Sequence, residues 1–230
     1  MKLRRAARFI FHPLPPYSFE LTVRKPAGWH WFTPFETWAD GCLWSGFWFG
    51  DEPIGLKARG RGGRRPSVSV QIFSRRRLDR ATLARLQARL ARSLGIEEDI
   101  RPLYRLMRRD PVLRGLTRRL RGMREGWAND VFPSLSLAVL LQMAPIKRSQ
   151  GMWDCFIRRH GAVLTFDGRS VRLWPRERDV VRHRPAELAR ACRLGYRAKS
   201  LVRIARQLLA GFPTIEELDL MTPEQATEKL

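Results

Sequence analysis

The chain has 230 residues, 44% of them hydrophobic and 10% aromatic, which excludes a chain that is disordered throughout. Its 44 Lys and Arg residues against 22 Asp and Glu residues give a formal net charge of +22, and residues 1–212, with 43 basic and 17 acidic residues, carry a net charge of +26. So large an excess indicates a polyanionic partner, of which nucleic acid is the commonest.

The N-terminal residues favour a cytoplasmic protein. The basic start is followed by too few apolar residues before His12 to form the core of a signal peptide. The longest apolar stretch, residues 135–144, is interrupted by Ser136 and Gln142 and is too short to cross a bilayer. We therefore expect no membrane contact and a location in the cytoplasm, at the nucleoid if the organism is prokaryotic.

The first third of the chain has the pattern of an antiparallel sheet. Apolar and polar residues alternate in short segments, and Val68, Val70 and Ile72 fall on one face of such a segment. The Gly-Asp-Glu sequence at residues 50–52 is typical of a hairpin turn. We predict a sheet domain of four or five strands over residues 1–77. Its strands include residues 19–24, 37–50, 53–61 and 67–73.

From residue 78 the apolar residues recur with helical spacing. The periodic residues are Leu83, Leu86, Leu90 and Leu94. Asp79 is suited to cap the start of this helix, and Gly95 to end it. A hairpin is expected at Asp167-Gly168, within residues 163–174. We predict an α+β fold in which residues 78–230 form a helical domain. Its further helices are predicted at residues 99–107, 111–121, 133–144, 146–160, 185–193 and 198–210.

The C-terminal residues predict one more helix. Thr222-Pro223-Glu224-Gln225 is a capping box with proline at the first helical position. Neither a glycine nor another cap follows before Leu230. Two interpretations stay open, a frayed terminal turn and a chain that stops partway into a larger domain.

The cysteines favour a reducing compartment. Cys42, Cys155 and Cys192 are odd in number and widely spaced, and they form no zinc-ligand pattern with the four histidines. We expect neither a disulfide framework nor a structural zinc. No motif ligates a metal or cradles a nucleotide, so we expect no cofactor.

Arginine dominates the basic runs. Residues 59–65 (RGRGGRR), 75–77 and 118–124 (RRLRGMR) are dense in guanidinium groups, which form bidentate bonds to phosphate. Binding through such runs is salt-dependent and does not specify sequence. The alternative is a solvated basic face.

Two further segments suit contact with distorted DNA. LGYRAK, at residues 194–199, places Tyr196 at a turn between cations, where an aromatic ring stacks on a base or wedges into a step. LLQMAPIKRSQGM, at residues 140–152, ends an apolar helix at Gln142 and opens a basic one with Lys147 and Arg148. The alternatives are a tyrosine packed on the core and an ordinary helix terminus.

The order of these segments resembles the helix-hairpin-helix superfamily of base-excision DNA glycosylases, especially its 8-oxoguanine and alkyladenine branches. The resemblance covers residues 99–230 and is strongest over residues 142–152 and 194–209. In the sheet domain, the resemblance rests only on the arrangement of the predicted elements and not on a sequence motif.

The resemblance implies roles for individual residues. Tyr196 corresponds to an aromatic residue inserted beside the extruded nucleotide, and Arg148 and Arg197 to contacts with the opposite base. Gln142 and Met143 lie where the family fills the gap in the stack, but methionine stands at the asparagine-like position, so either residue is a candidate. The same motifs contribute Lys147 and Lys199 to the predicted DNA-binding set.

The resemblance also implies a continuation beyond the last predicted helix. In the family, that helix leads into a glycine-rich hairpin that binds DNA phosphate, and then to the catalytic residues. We therefore expect a monomer that binds double-stranded DNA with a damaged base, and a chain that does not excise the base by itself, with no catalytic residue assigned. The alternatives are a non-catalytic DNA-binding protein and a basic RNA-binding protein.

Overall fold

The computed structural model describes residues 1–25, 30–126, 130–211, 215–218 and 220–229. An antiparallel sheet precedes a largely helical region, which confirms the predicted α+β class. In chain order the elements are β1 (Arg4–Phe11), α1 (Phe19–Val23), β2 (Thr37–Ala39), β3 (Cys42–Phe49), β4 (Glu52–Arg61), β5 (Ser67–Ser74), α2 (Arg80–Ser93), α3 (Arg101–Arg109), α4 (Leu116–Arg119), α5 (Val131–Leu141), α6 (Ile146–His160), β6 (Val163–Phe166), β7 (Arg169–Arg172), α7 (Glu177–Val180), α8 (Pro185–Cys192), α9 (Arg197–Leu209), α10 (Ile215–Leu218) and α11 (Pro223–Lys229).

The chain divides into two compact units. The first contains Met1–Ala128 and Val163–Val171, and the second contains Asn129–Ala162 and Arg172–Leu230. The last strand of the five-stranded sheet, β5, ends at Ser74, close to residue 77, where the sheet domain is predicted to end. The first unit nevertheless includes α2, α3 and α4, so the division into domains at residue 77 stays a prediction.

The main sheet has five antiparallel strands in the order β1-β5-β4-β3-β2. Val68, Val70 and Ile72 are fully buried, which confirms their predicted common face. The hairpin predicted at residues 50–52 joins β3 to β4. Asp40 and Gly41, both with positive φ, divide the strand predicted at residues 37–50 into β2 and β3. The edge strand β1 was not predicted.

The strand predicted at residues 19–24 is wrong, because this segment forms the short helix α1. The hydroxyl of Ser18 accepts a hydrogen bond from the Leu21 amide at 3.3 Å and caps the helix. Phe19, Thr22 and Val23 are buried, at the i, i+3, i+4 spacing of a helix face. The apolar alternation in this segment is too short to distinguish the two periods.

The helix α2 covers the inner face of the sheet. The Asp79 carboxylate accepts from the Thr82 amide at 2.7 Å, which confirms the predicted cap. Leu86, Leu90 and Leu94 lie in one apolar core with the inward side chains of β3, β4 and β5.

The helix predicted at residues 111–121 is largely wrong. The Asp110 carboxylate accepts from the Val112 and Leu113 amides at 2.8 and 2.9 Å. These bonds cap the segment that follows, but residues 111–115 form turns and the helix α4 begins only at Leu116.

The predicted hairpin at Asp167-Gly168 is confirmed and packs on the outer face of the sheet. Both turn residues have positive φ, and the Phe166 ring lies 4.9 Å from that of Phe73. The Asp167 carboxylate accepts from Trp44 Nε1 at 2.8 Å and pairs with Lys57 Nζ at 2.8 Å. The bond from Lys57 is the chief reason that the pKa of Asp167 is lowered.

The second unit is built around α9, which packs against α5, α7 and α8. The helix predicted at residues 146–160 is confirmed as α6, whereas α7 was not predicted. The predicted capping box is also confirmed, since the Thr222 amide donates to Gln225 Oε1 at 3.0 Å and the Gln225 amide to Thr222 Oγ1 at 3.3 Å.

The prediction of reduced cysteines is wrong for two of the three. Cys155 of α6 and Cys192 of α8 form a disulfide, whereas Cys42 is free and buried. The pair is separated by 37 residues and brought together by helix packing, which spacing along the chain does not reveal.

Within the described ranges, no three His, Cys, Asp or Glu side chains are grouped as a metal site. Of the helices that the structure describes, none combines the length and apolarity needed to span a bilayer.

Candidate nucleic-acid interface

The corner between α5 and α6 forms an exposed tip. The helix α5 ends at Leu141. The next residue, Gln142, has an extended backbone with ψ of 129°. Met143 adopts the left-handed region with φ of 45° and is 92% exposed. Pro145 then starts α6. A methionine in this backbone region is uncommon, because the left-handed conformation is strained for a residue with a Cβ.

The turn between α8 and α9 forms a second exposed tip. Arg193 and Gly195 both have positive φ, and Leu194 between them is fully buried and anchors the turn. Tyr196 follows at the start of α9 with 56% of its surface exposed. Its side chain is therefore accessible to a ligand.

Arg197 joins the two tips. It is only 4% exposed, its Nη2 donates to the Gln142 carbonyl oxygen, and its guanidinium lies 4.7 Å from the centre of the Tyr196 ring. The resemblance described above predicts that this guanidinium contacts an opposing base. In the structure it faces the protein interior, and reaching a base would require breaking the bond to Gln142.

Three cations lie near these tips along the chain. Lys147 and Arg148 are exposed in the first turn of α6, and Lys199 is exposed in the first turn of α9. The first amides of a helix lack intrahelical acceptors and attract anions. The start of α6 therefore combines two cationic side chains with the positive end of a helix.

An open cavity of about 570 Å³ lies between α6 and α8. Arg148 and Arg193 line it together with the disulfide of Cys155 and Cys192. The sequence prediction included Arg148 but missed the cavity, Arg193 and the contact of Arg197 with Gln142. No local pattern signals these features, because each depends on residues that are distant in the chain.

Sequence comparison finds a relative among the DNA glycosylases, and no family model matches the chain. A DNA-3-methyladenine glycosylase of Bacillus subtilis is 24% identical over 135 residues, which are 59% of this chain. The matched segment spans 45% of the length of that relative.

Solved structures extend the similarity to the whole chain. A 3-methyladenine DNA-glycosylase from Archaeoglobus fulgidus matches 96% of the chain and 73% of its own length, with a TM-score of 0.74 and 19% identity. The chain has the fold of a DNA glycosylase. A Clostridium acetobutylicum 8-oxoguanine glycosylase/lyase, solved with double-stranded DNA containing cytosine opposite 8-oxoguanine, shares this glycosylase fold over 99% of the chain and 71% of its own length, with a TM-score of 0.67 and 13% identity. The predicted resemblance to DNA glycosylases is thus confirmed.

Proposed function

We propose that the protein is a base-excision-repair DNA glycosylase, and that residues 1–230 bind duplex DNA and hold a damaged nucleotide out of the base stack. One observation carries the proposal. Met143 and Tyr196 are exposed on two separate turns, and the buried Arg197 connects these turns. The names of the glycosylases that share the sequence and fold support it.

The two tips suit the opening of a duplex. Extruding a nucleotide costs a few kcal/mol, least for a damaged pair, and apolar or aromatic wedges that replace the lost stacking offset this cost. We assign Met143 to the vacated space, because its side chain is almost wholly exposed and carries no polar group to desolvate. Tyr196 stacks beside it, and the exposed Gln142 side chain contacts a polar base edge.

The cations hold the flanking phosphates. Lys147, Arg148 and Lys199 are exposed beside helix amides, and their contacts supply affinity that depends on salt and not on sequence. Arg148 also lines the cavity between α6 and α8, so we assign it the second role of contacting the base opposite the lesion.

The reaction proposed for the whole protein is hydrolysis of the N-glycosidic bond of the extruded nucleotide. We place no catalytic group within residues 1–230. We assign to these residues the recognition of the damaged nucleotide and its extrusion from the duplex. Excision assays on a panel of lesion duplexes test this division, and turnover by this chain alone would contradict it.

The binding roles predict a selective effect of Tyr196→Ala. Because a stacked aromatic contributes about 1–3 kcal/mol, affinity for an abasic duplex should fall about 5- to 150-fold, with a much smaller loss on an intact duplex. Fluorescence anisotropy on matched duplexes measures both affinities. Arg148→Ala should have a similar selective effect, and it should also change how the affinity depends on the base opposite the abasic site.

Lys199→Ala is the matched control, since loss of a phosphate contact weakens binding to both duplexes alike. If Tyr196→Ala also weakened both equally, Tyr196 would not be a wedge. Equal affinity for duplex RNA and duplex DNA would favour the RNA-binding alternative.

A further inference from the structure

The outer face of the five-stranded sheet carries exposed arginines. Val68, Val70 and Ile72 point to the core, so the alternate residues of β5 point outward. The strand register places outward side chains of β1 and β4 beside them. The resulting rows are Ile10, Ser69 and Arg59; Arg8, Gln71 and Lys57; and Ser67 with Arg61.

The charge of this face is not neutralised within the sheet. Arg8, Arg59 and Arg61 are exposed, and Arg8 Nε donates to Ser69 Oγ at 3.0 Å, which lays its side chain along the face. Across the described strands β1, β4 and β5, the one carboxylate, that of Glu52, accepts from backbone amides at residues 75 and 76. Lys57 differs from the three arginines, since Asp167 pairs with it.

The loop after β4 continues the basic surface. Arg64 and Arg65 are exposed there. A side chain added at Gly62 or Gly63 would meet no atom within 4 Å, so the backbone of this loop is open to close approach. We name the set of Arg8, Arg59, Arg61, Arg64 and Arg65 the arginine face.

The aromatic residues of the same side help to indicate which nucleic acid fits. Trp44 and Phe73 are each 6% exposed, because the β6–β7 hairpin covers them with Asp167 and Phe166, and Trp48, which also points outward on β3, is half-buried. Proteins that bind single strands stack the bases on exposed aromatic rings. The arginine face presents guanidinium donors instead, which match the phosphates of a duplex.

We infer that the arginine face binds the phosphate backbone of double-stranded DNA whether or not the DNA is damaged. Arg8 on β1 and Arg59 on β4 flank β5, and adjacent strands are about 4.8 Å apart, so the cations span about 10 Å and reach several phosphates. This second contact adds to the proposed extrusion site and does not depend on it.

The test is the salt dependence of binding to an intact duplex. Each phosphate contact contributes about −0.9 to the slope of log K against log salt concentration. The triple variant Arg8→Gln, Arg59→Gln, Arg61→Gln of the full chain should therefore have a slope smaller in magnitude by about 2–3. The matched Arg→Lys triple should keep most of the slope, and thermal unfolding checks that both variants fold.

The control removes the same charge from exposed positions of α3 and of the turn that follows it, through Arg105→Gln, Arg109→Gln and Arg114→Gln. In this control the slope should change by less than about 1. An equal change of slope in the control and in the arginine-face variant would mean that net charge alone matters, and it would overturn the inference. Equal binding of duplex RNA, with the same loss in the triple variant, would overturn the assignment to DNA. Loss of binding to anionic lipid vesicles with an unchanged DNA slope would overturn it in favour of a membrane surface.

The preference for abasic over intact duplex separates this inference from the proposed function. The Arg8→Gln, Arg59→Gln, Arg61→Gln variant should keep that preference, and its affinity should depend less steeply on salt concentration. Tyr196→Ala should lose the preference and keep the slope.

Discussion

Arg197 is a buried cation whose guanidinium contacts both exposed tips. A guanidinium buried to this extent needs acceptors, and the Gln142 carbonyl at the end of α5 is one that the helix itself cannot satisfy. The same group lies against the Tyr196 ring, so one side chain fixes both exposed tips relative to each other. Its role is to position the tips.

Arg197→Met should separate this positioning role from a direct DNA contact. Loss of a charged hydrogen bond to a buried acceptor should lower the free energy of unfolding by about 1–3 kcal/mol, measured in urea. Affinity for abasic duplex should also fall while the salt slope stays constant, and Arg197→Lys should restore part of it. Lys199→Met, at an exposed position two residues away, is the control and should reduce the slope by about 1 with little change in stability. A reduced slope for Arg197→Met would instead indicate direct contact with DNA.

Among the elements, the contact of β4 with α1 depends on a missing side chain. A Cβ at Gly60 would lie 2.1 Å from Phe19 Cβ, whereas at Gly62 it would meet no atom within 4 Å. The Gly-Arg-Gly sequence therefore combines a packing glycine and an open loop glycine.

Gly60→Ala should destabilise the chain, because either the helix or the strand must move to admit the methyl group. We expect a loss of about 1–3 kcal/mol in the free energy of unfolding, as for other overpacked cores. Gly62→Ala, the matched control, should change it by less than about 0.5 kcal/mol. Equal effects of the two substitutions would contradict the close contact between Gly60 and Phe19.

The elements also show which features the sequence could predict. The helix α6 and the strand β5 have enough residues for one period to dominate, and both were predicted with nearly the observed bounds. In α1, by contrast, the Ser18 hydroxyl caps a short helix where the apolar pattern predicted a strand. Such local competition between cap and pattern leaves no reliable periodic signal.

The candidate site, like the fold, could be predicted only in part. Tyr196, Lys147, Arg148 and Lys199 stand in local motifs, and all four are exposed. The inward direction of Arg197 could not be predicted, because it depends on packing between α5 and α9. The pairing of Cys155 with Cys192 likewise requires α6 and α8 to be adjacent.

Over the whole molecule, the positive charge is spread over both units. The arginine face lies in the first unit, and the cations near Met143 and Tyr196 lie in the second. Self-repulsion among like charges opposes folding, and a bound polyanion relieves it. The disulfide adds a covalent constraint within the second unit and connects the helices on either side of the cavity.

This constraint predicts a redox dependence of the stability of the whole chain. Closing a loop between residues 37 positions apart restricts the unfolded state by up to about 4 kcal/mol, so a reductant should lower the free energy of unfolding by about 2–4 kcal/mol. Alkylation of unfolded chain under non-reducing conditions, read by mass spectrometry, should modify Cys42 alone. Cys155→Ser should unfold like the reduced chain with or without reductant, whereas Cys42→Ser, the control, should keep the redox dependence. Three alkylated cysteines in oxidised chain, with stability independent of reductant, would contradict the disulfide.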